Sequence, residues 1–77
     1  MFLNVSVISP KKVIFKGQAK SIIVPGEQGV FEVLPFHKQL LSRLISGILL
    51  IDGQEYSIKR GSIKVSRNAV TVIVEES

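Results

Sequence analysis

The chain has 77 residues, of which 45% are hydrophobic and 21% are charged, so it has room for one domain and is not a disordered chain. It contains no cysteine, which excludes a disulfide framework and a thiolate zinc module and predicts a reducing compartment. The formal net charge is +4, and the basic residues occur in runs of no more than two, which is typical of a solvated surface. A basic face that binds an anionic partner is the alternative.

Three short strands are predicted before the first strong turn. Residues 3–7 alternate between apolar and polar side chains, the pattern of a half-buried strand, and Pro10 ends this strand because proline has no amide hydrogen. Residues 13–15 form the second predicted strand, and Gly17 predicts a turn or bulge after it. The run 19–24 is rich in β-branched residues and predicts the third strand.

The segment 25–29 is the strongest turn signal in the sequence. Pro25 followed by Gly26 suits a type II turn, in which glycine readily adopts a positive φ, and Gly29 closes the segment. Residues 30–34 then form a strand that stops at Pro35.

The stretch 40–45 is apolar at both parities, so its periodicity fits either a helix or a fully buried strand. The strand is the preferred interpretation, preceded by a single helical turn near residues 36–39.

Two glycine-containing turns divide the second half of the chain. Asp52 and Gly53 both tolerate left-handed backbone, which predicts a hairpin. Gly61, directly after Arg60, predicts another tight reversal. The apolar runs around these turns predict strands at residues 48–51, 55–59, 62–65 and 70–74.

These elements predict an all-β fold, a small antiparallel β-sandwich or flattened barrel of about eight to ten short strands, as one domain over residues 1–77. No linker or internal repeat interrupts the pattern. The N-terminus lacks the apolar region of a secretory signal, and the longest apolar run, 48–51, is far too short to cross a bilayer.

The residues that carry chemistry do not form a recognisable catalytic, cofactor or metal site. His37 is the only histidine and has no acidic neighbour in sequence, so a surface or interface role is favoured over general-base catalysis. Residues 26–29 lack the Lys-Ser/Thr ending of a phosphate-binding loop. Aromatic residues make up 6% of the chain and are dispersed, which makes nucleic-acid binding a minor alternative.

An ordered set of motifs resembles the epsilon subunit of the F-type ATP synthase, called delta in mitochondria. The motifs are Phe-Lys-Gly-Gln-Ala at 15–19, Ile-Val-Pro-Gly-Glu-Gln-Gly at 23–29, Leu-Pro-Phe-His at 34–37, Leu-Leu-Ser at 40–42, Gly-Ile-Leu at 47–49 and Asn-Ala-Val-Thr-Val at 68–72. The sequence departs from the family where Glu32 replaces a glycine, where Lys38-Gln39 replaces an Ala-Pro pair, and where Arg60 replaces the first of two glycines.

The resemblance implies a non-catalytic rotor part that docks the gamma subunit to the c-ring and couples rotation to ATP synthesis. It implies no cofactor, no metal and no direct insertion into lipid. A peripheral position is expected on the cytoplasmic face of a bacterial inner membrane or on the equivalent organelle membrane. It places the docking surface in the segment 30–41, and the residues expected near the c-ring or gamma are Val30, Phe31, Phe36, His37 and Lys38.

Several alternatives stay open at this point. Core packing is an equal interpretation of Phe31 and Leu34. A free-standing β-barrel module that binds nucleic acid or another anionic partner is the alternative function. Members of the family usually continue into a C-terminal helical hairpin, whereas this chain stops at Ser77, so it is expected to be either a naturally short form or a shortened chain. A naturally short form is expected to lack inhibition by extension of the hairpin.

Overall fold

Short β-branched runs separated by turn residues form eight strands in the computed structural model, which describes residues 1–76. The strands are β1 (Leu3–Ile8), β2 (Val13–Ala19), β3 (Ile22–Gly26), β4 (Gly29–Val33), β5 (Leu40–Leu44), β6 (Gly47–Ile51), β7 (Gln54–Ser66) and β8 (Ala69–Glu76). The strand interpretation of residues 40–45 is confirmed, and the described residues contain no helical turn near 36–39.

The strands form two layers because β7 belongs to both. Its first half, from Gln54 to Ile58, pairs with β6, and its second half, from Gly61 to Ser66, pairs with β5 and β8. One layer has the order β2-β1-β8-β7-β5, and the other has the order β7-β6-β3-β4. The predicted antiparallel β-sandwich is confirmed. Within residues 1–76 the single parallel pairing joins β1 to β8.

The core between the layers is aliphatic, and the period-2 pattern of the strands builds it. β1 and β8 each contribute three alternate buried residues, which are Leu3, Val5 and Val7 and then Val70, Val72 and Val74. The described residues include no buried polar or charged side chain. Stability therefore rests on apolar burial and on the strand hydrogen bonds.

The layers meet at a point that we call the corner end, defined by Gly26, Leu44 and Gly61. Gly26 pairs with Leu44, and Leu44 pairs with Gly61. The predicted reversal at Arg60 and Gly61 is wrong, because β7 continues through both residues and only shifts its register against β8. A Cβ on Gly61 would collide with the carbonyl oxygen of Ile73, so glycine here allows close packing of two strands.

Two other predicted turns lie elsewhere. Gly17 lies inside β2, and the chain reverses three residues later, at Lys20 and Ser21. Pro25 and Gly26 lie inside β3 rather than in a type II turn, and the reversal is at residues 27–28. The carbonyl oxygen of Pro25 accepts a hydrogen bond from the Ile45 amide at 2.9 Å, a role that needs no amide hydrogen on proline.

The opposite end of the sandwich, which we call the Asn68 end, carries four connections, at residues 20–21, 34–39, 52–53 and 67–68, and hydrogen bonds join them in pairs. The predicted hairpin turn is present at Asp52 and Gly53, whose φ angles are 48° and 84°. Asp52 Oδ1 accepts the amide of Lys20 at 2.9 Å and that of Ser21 at 3.0 Å. The carbonyl oxygen of Asn68 accepts the Asn4 amide at 2.7 Å, which fixes the β7–β8 turn against β1.

Candidate docking site

The five residues expected at an interface divide into two groups at opposite ends of β4. Val30 and Phe31 lie at its start, next to the 27–28 turn. Phe36, His37 and Lys38 lie in the loop 34–39 that follows its end. The structure therefore offers two separate candidate docking surfaces instead of one continuous segment.

The first surface is an open groove of about 620 Å³ between β4 and β5. Val30 and Phe31 line one side of it, and Leu40 and Leu41 line the other. Val30 is 72% exposed and Leu41 is 78% exposed, so the rim of the groove presents apolar surface to solvent. Apolar side chains on a groove rim are typical of sites that bind other proteins.

Phe31 has both of the roles that the sequence left open. Its side chain is half-buried and packs against the aliphatic core, and it also lines the groove. A Cβ on Gly26 would lie 2.6 Å from the Phe31 ring, so the glycine makes room for this aromatic side chain. Phe31 is therefore part of the floor of the groove rather than a free anchor.

Leu41 is a groove residue that sequence reasoning missed, because the run 40–45 was interpreted as buried on both faces. In the structure Leu40 and Leu44 face inward, whereas Leu41 and Arg43 are exposed. The charged Arg43 shares its parity with Leu41, and this period-2 relationship was the signal that marked the outward face.

The second surface is built on a turn at Pro35 and Phe36. The His37 amide donates to the Leu34 carbonyl oxygen at 3.1 Å, and Phe36 has a φ of 67°. A type II turn has this hydrogen bond between its first and fourth residues, often proline at the second position, and a positive φ at the third. Phe36 is at the third position here, where glycine is the usual residue. Phe36 is 70% exposed.

Asn68 fixes this turn from across the chain. Its side-chain Oδ1 accepts the Phe36 amide at 2.6 Å, while its own backbone has a φ of 62° in the β7–β8 turn. Sequence reasoning identified Asn68 only as the first residue of the motif at 68–72. Its contact with Phe36 joins residues 32 positions apart, and no local pattern marks it.

Exposed apolar side chains surround this turn, and we call them the Asn68-end patch: Met1, Phe2, Leu34 and Phe36. Met1 and Phe2 directly precede β1, whose Asn4 is hydrogen-bonded to the same turn that holds Phe36. Leu34 was expected either in the core or at an interface, and the structure leaves it exposed.

His37 and Lys38 lie beside the patch. The Nδ1 of His37 is 2.8 Å from the carbonyl oxygen of Lys38, and because a carbonyl oxygen only accepts, Nδ1 must donate in this contact. The imidazole is thus oriented locally by its neighbour. Lys38 is exposed and extends the polar border of the patch.

The ion pairs among the described residues lie at the corner end. At the corner end Arg60 Nε lies 2.8 Å from Glu75 Oε2, and Lys12 Nζ lies 3.7 Å from Glu76 Oε2. At the Asn68 end the exposed cations Lys20, Lys38 and Arg67 have no carboxylate partner within the described residues. The sequence showed scattered basic residues, and within residues 1–76 only Lys12 and Arg60 are in ion pairs, while Arg43 at the corner end has no carboxylate partner either.

The departures from the family pattern fit the structure locally. Glu32 has an ordinary β-strand conformation and an exposed side chain, so it needs no glycine. Arg60 lies where β7 shifts register, and its guanidinium reaches Glu75.

Neither end resembles a catalytic centre in the part of the chain described. Residues 1–76 contain no group of three histidine, cysteine, aspartate or glutamate side chains placed to hold a metal ion. Over the same residues no helix is long and apolar enough to cross a membrane. What the two surfaces can do chemically is present apolar side chains and charge to a partner.

Comparison with known proteins gives a family for residues 2–77, described as the ATP synthase delta/epsilon chain, β-sandwich domain. An ATP synthase epsilon chain from Leptospira borgpetersenii is 42% identical over 77 residues, covering 95% of this chain and 61% of the relative. An epsilon chain from Nitratiruptor is also 42% identical, over 78 residues, with 95% and 60% covered. The chain thus spans about three fifths of the length of these relatives.

Solved structures have the same fold. A chain of the Euglena gracilis mitochondrial ATP synthase, in a structure of its OSCP, F1 and c-ring parts, superposes with a TM-score of 0.89 at 21% identity, covering 97% of this chain and 51% of that chain. A chain from the central stalk and c-ring of the Tetrahymena thermophila mitochondrial enzyme gives a TM-score of 0.81 at 17% identity, with 96% and 63% covered. The family match over residues 2–77 favours the resemblance over a free-standing nucleic-acid module.

Proposed function

The chain belongs to the β-sandwich family of ATP synthase delta and epsilon chains, and we propose that it acts as a non-catalytic subunit of the central stalk. In this role it docks the gamma subunit to the c-ring, so that rotation of the ring is coupled to ATP synthesis. The observation that carries the proposal is the match of the family over residues 2–77, together with the 42% identity to epsilon chains.

The two candidate surfaces support a subunit with more than one partner. A rotor part placed between a stalk and a ring needs a contact region for each. Val30 and the turn of Phe36 lie at opposite ends of β4, and both the groove and the turn expose apolar side chains. We propose that these two regions carry the docking residues, with Val30, Phe31, Phe36, His37 and Lys38 among them.

The proposed location follows from the proposed partners. Held by the gamma subunit and the c-ring, the chain is a peripheral component of a membrane complex on the side where the stalk emerges, the cytoplasmic face in bacteria. It acts there as one domain over residues 1–77, with no direct insertion into lipid and with no cofactor or metal.

Affinity purification tests this function. The chain is expressed with a tag in its own organism, and the recovered complex is examined for the gamma subunit and the c-ring. Both are expected in the eluate.

Membranes depleted of the chain should lose proton-driven ATP synthesis and recover it when the purified chain is added.

A second arm addresses the alternative function. If the tagged chain recovers no ATP synthase subunit and instead binds single-stranded nucleic acid with a steep dependence on salt, the rotor function is rejected.

A further inference from the structure

β2 lies at one edge of the larger layer, and within residues 1–76 it pairs with β1 alone. Its other side therefore presents unpaired backbone amides and carbonyl oxygens along a strand of seven residues. Val13, at the start of the strand, is 60% exposed, and Ile14 and Phe15 are only partly buried. A free edge that contains an apolar run is a template for pairing with a strand of another chain.

Lysines lie on both sides of this apolar run. Lys12 directly precedes Val13, Lys16 directly follows Phe15, and Lys20 directly follows the last residue of β2. The side chains of all three lysines are exposed. Charged residues that flank an apolar strand in this way protect its edge against pairing with other chains.

The net charge of the chain is concentrated around this edge. Residues 1–26 include four lysines and no acidic residue, whereas residues 27–77 include six basic and six acidic residues. The whole formal net charge of +4 therefore comes from the part of the chain that forms β1, β2 and β3.

The carboxylates close to this edge lie at its two ends. Lys12 Nζ is 3.7 Å from Glu76 Oε2, but both side chains are well exposed, so water screens their attraction. At the other end the Asp52 carboxylate accepts the backbone amide of Lys20. Lys16, at the centre of the strand, is in neither of the ion pairs found within residues 1–76.

The spacing of the lysines determines what happens when the β2 edges of two copies meet. Two such edges can pair antiparallel about a two-fold axis, and the register that pairs all seven residues places residue 16 opposite itself. Lys16 then lies opposite Lys16 of the second copy, and Lys12 of each copy comes close to Lys20 of the other. Like charges directly opposite each other on paired strands are destabilising. A shift of the register by two residues separates the lysines but leaves only five of the seven residues paired.

We propose that β2 is a self-association edge for a second copy of this chain and that Lys12, Lys16 and Lys20 block it by charge repulsion. A bulge also disturbs this edge, because β1 and β2 shift register between Val7 and Ile8. Substitution of the lysines leaves the bulge in place, so the effect of the charges can be measured alone. The proposal is independent of the stalk function, since it concerns the purified chain in the absence of any partner.

Sedimentation equilibrium of the purified chain tests the proposal. The variant Lys12→Thr with Lys16→Thr removes every lysine pair of the full register and introduces a residue that favours strands. Its control, Lys59→Thr with Lys64→Thr, changes the net charge equally at the two exposed lysines of β7, an interior strand. We expect the β2 variant to dimerise at concentrations at least about ten-fold lower than those at which the control or the wild type associates.

Lys16→Glu tests the register. By itself this variant replaces one like-charge pair by another and should associate no better than the wild type. In an equal mixture with the wild type, the lysine of one copy lies opposite the new carboxylate of the other, so mixed dimers should form in preference to dimers of either protein. A mixture of the wild type with Lys64→Glu is the control and should form none. Urea denaturation of each variant shows whether its fold is kept.

The outcomes are distinct. If the β2 variant associates no more strongly than the β7 control, the lysines do not block the edge and the proposal is overturned. Equal dimerisation of both double variants would show that net charge alone keeps the chain apart, which also overturns it. A mixture with Lys16→Glu that forms no mixed dimers would contradict the pairing of residue 16 with itself, even if a double variant fails to fold.

Discussion

The corner end and the Asn68 end of this sandwich are built on different principles. At the corner end, glycine allows strands to touch, ion pairs join β7 to β8 and β1–β2 to β8, and residues 1–76 show no non-glycine residue there with a positive φ. All four described non-glycine residues with positive φ lie at the Asn68 end, and they are Phe36, Asp52, Arg67 and Asn68.

This difference indicates that the corner end is held by close strand packing, whereas the Asn68 end is held by hydrogen bonds to strained turns. Strained backbone persists only where neighbouring contacts hold it, and it concentrates where function needs a fixed geometry. Mutations at the corner end should therefore act chiefly through packing, whereas mutations at the Asn68 end should act through turn hydrogen bonds and backbone strain. The following predictions test that division, beginning with the largest effect.

The close packing at Gly61 should make the corner end the most sensitive point of the fold. Gly61→Ala places a Cβ against the Ile73 carbonyl oxygen and 3.0 Å from Val74 Cγ1, so β7 and β8 must separate. We expect a loss of about 3 kcal/mol in the free energy of unfolding, measured by urea denaturation. In Gly17→Ala the nearest atom, in the Phe15 ring, lies at 3.6 Å, so this control should be neutral or slightly stabilising.

A Gly61→Ala variant as stable as the wild type would show that β7 and β8 are not in tight contact at Gly61. The claim that the corner end is the most sensitive point of the fold would then be wrong.

At the Asn68 end, Asp52 should matter for the fold without being buried. Asp52→Ala removes the acceptor of the Lys20 and Ser21 amides and puts a residue with poor left-handed propensity at a φ of 48°. The expected loss is about 1–2 kcal/mol, similar to the loss of a helix cap. Asp52→Asn keeps one acceptor oxygen and the conformational preference, so it should lose less than half as much.

Hydrogen exchange gives the site-specific check. The amides of Lys20 and Ser21 should exchange faster in Asp52→Ala than in Asp52→Asn, while the amides of β8 follow global stability in both. Equal protection of the two amides in all three proteins would contradict the assigned hydrogen bonds.

The sequence predicted the fold to the extent that its signals were local. Alternation in residues 3–7 placed β1, the apolar run 70–74 placed β8, and the Asp52-Gly53 pair placed the hairpin between β6 and β7. Gly61 was assigned to a turn because a glycine that relieves a contact across strands has the same local signature as a glycine that turns the chain. Distinguishing them requires the position of Ile73, twelve residues after Gly61.

The candidate site was predicted less completely for the same reason. The segment containing Phe36 and His37 was identified by resemblance and by its position after Pro35. The division of the segment into a groove at Val30 and a turn at Phe36 follows from the length of β4, which separates them. The hydrogen bond from the Phe36 amide to Asn68 Oδ1 joins distant parts of the chain, and no rule of sequence spacing predicts such a contact.

Phe36 allows a direct measurement of the strain at the Asn68 end. Phe36→Gly should be at least as stable as the wild type and about 1 kcal/mol more stable than Phe36→Ala. Glycine adopts a φ of 67° without a conformational penalty, whereas alanine, which has a Cβ, still carries that penalty. Urea denaturation of the three proteins measures the difference. Equal stability of the glycine and alanine variants would mean that the residue is not strained.

The ion pair of Arg60 and Glu75 should give the smallest effect, despite its 2.8 Å separation. The two side chains are 67% and 50% exposed, so water and salt screen their attraction and the pair loses side-chain entropy when it forms. Arg60→Ala is expected to lower the free energy of unfolding by about 0.5 kcal/mol or less, and the difference should vanish at high salt. Lys59→Ala, at the neighbouring exposed residue, controls for the loss of one positive charge. A loss above about 1 kcal/mol that persists at high salt would show that Arg60 stabilises the corner end through packing of its methylene groups rather than through the ion pair.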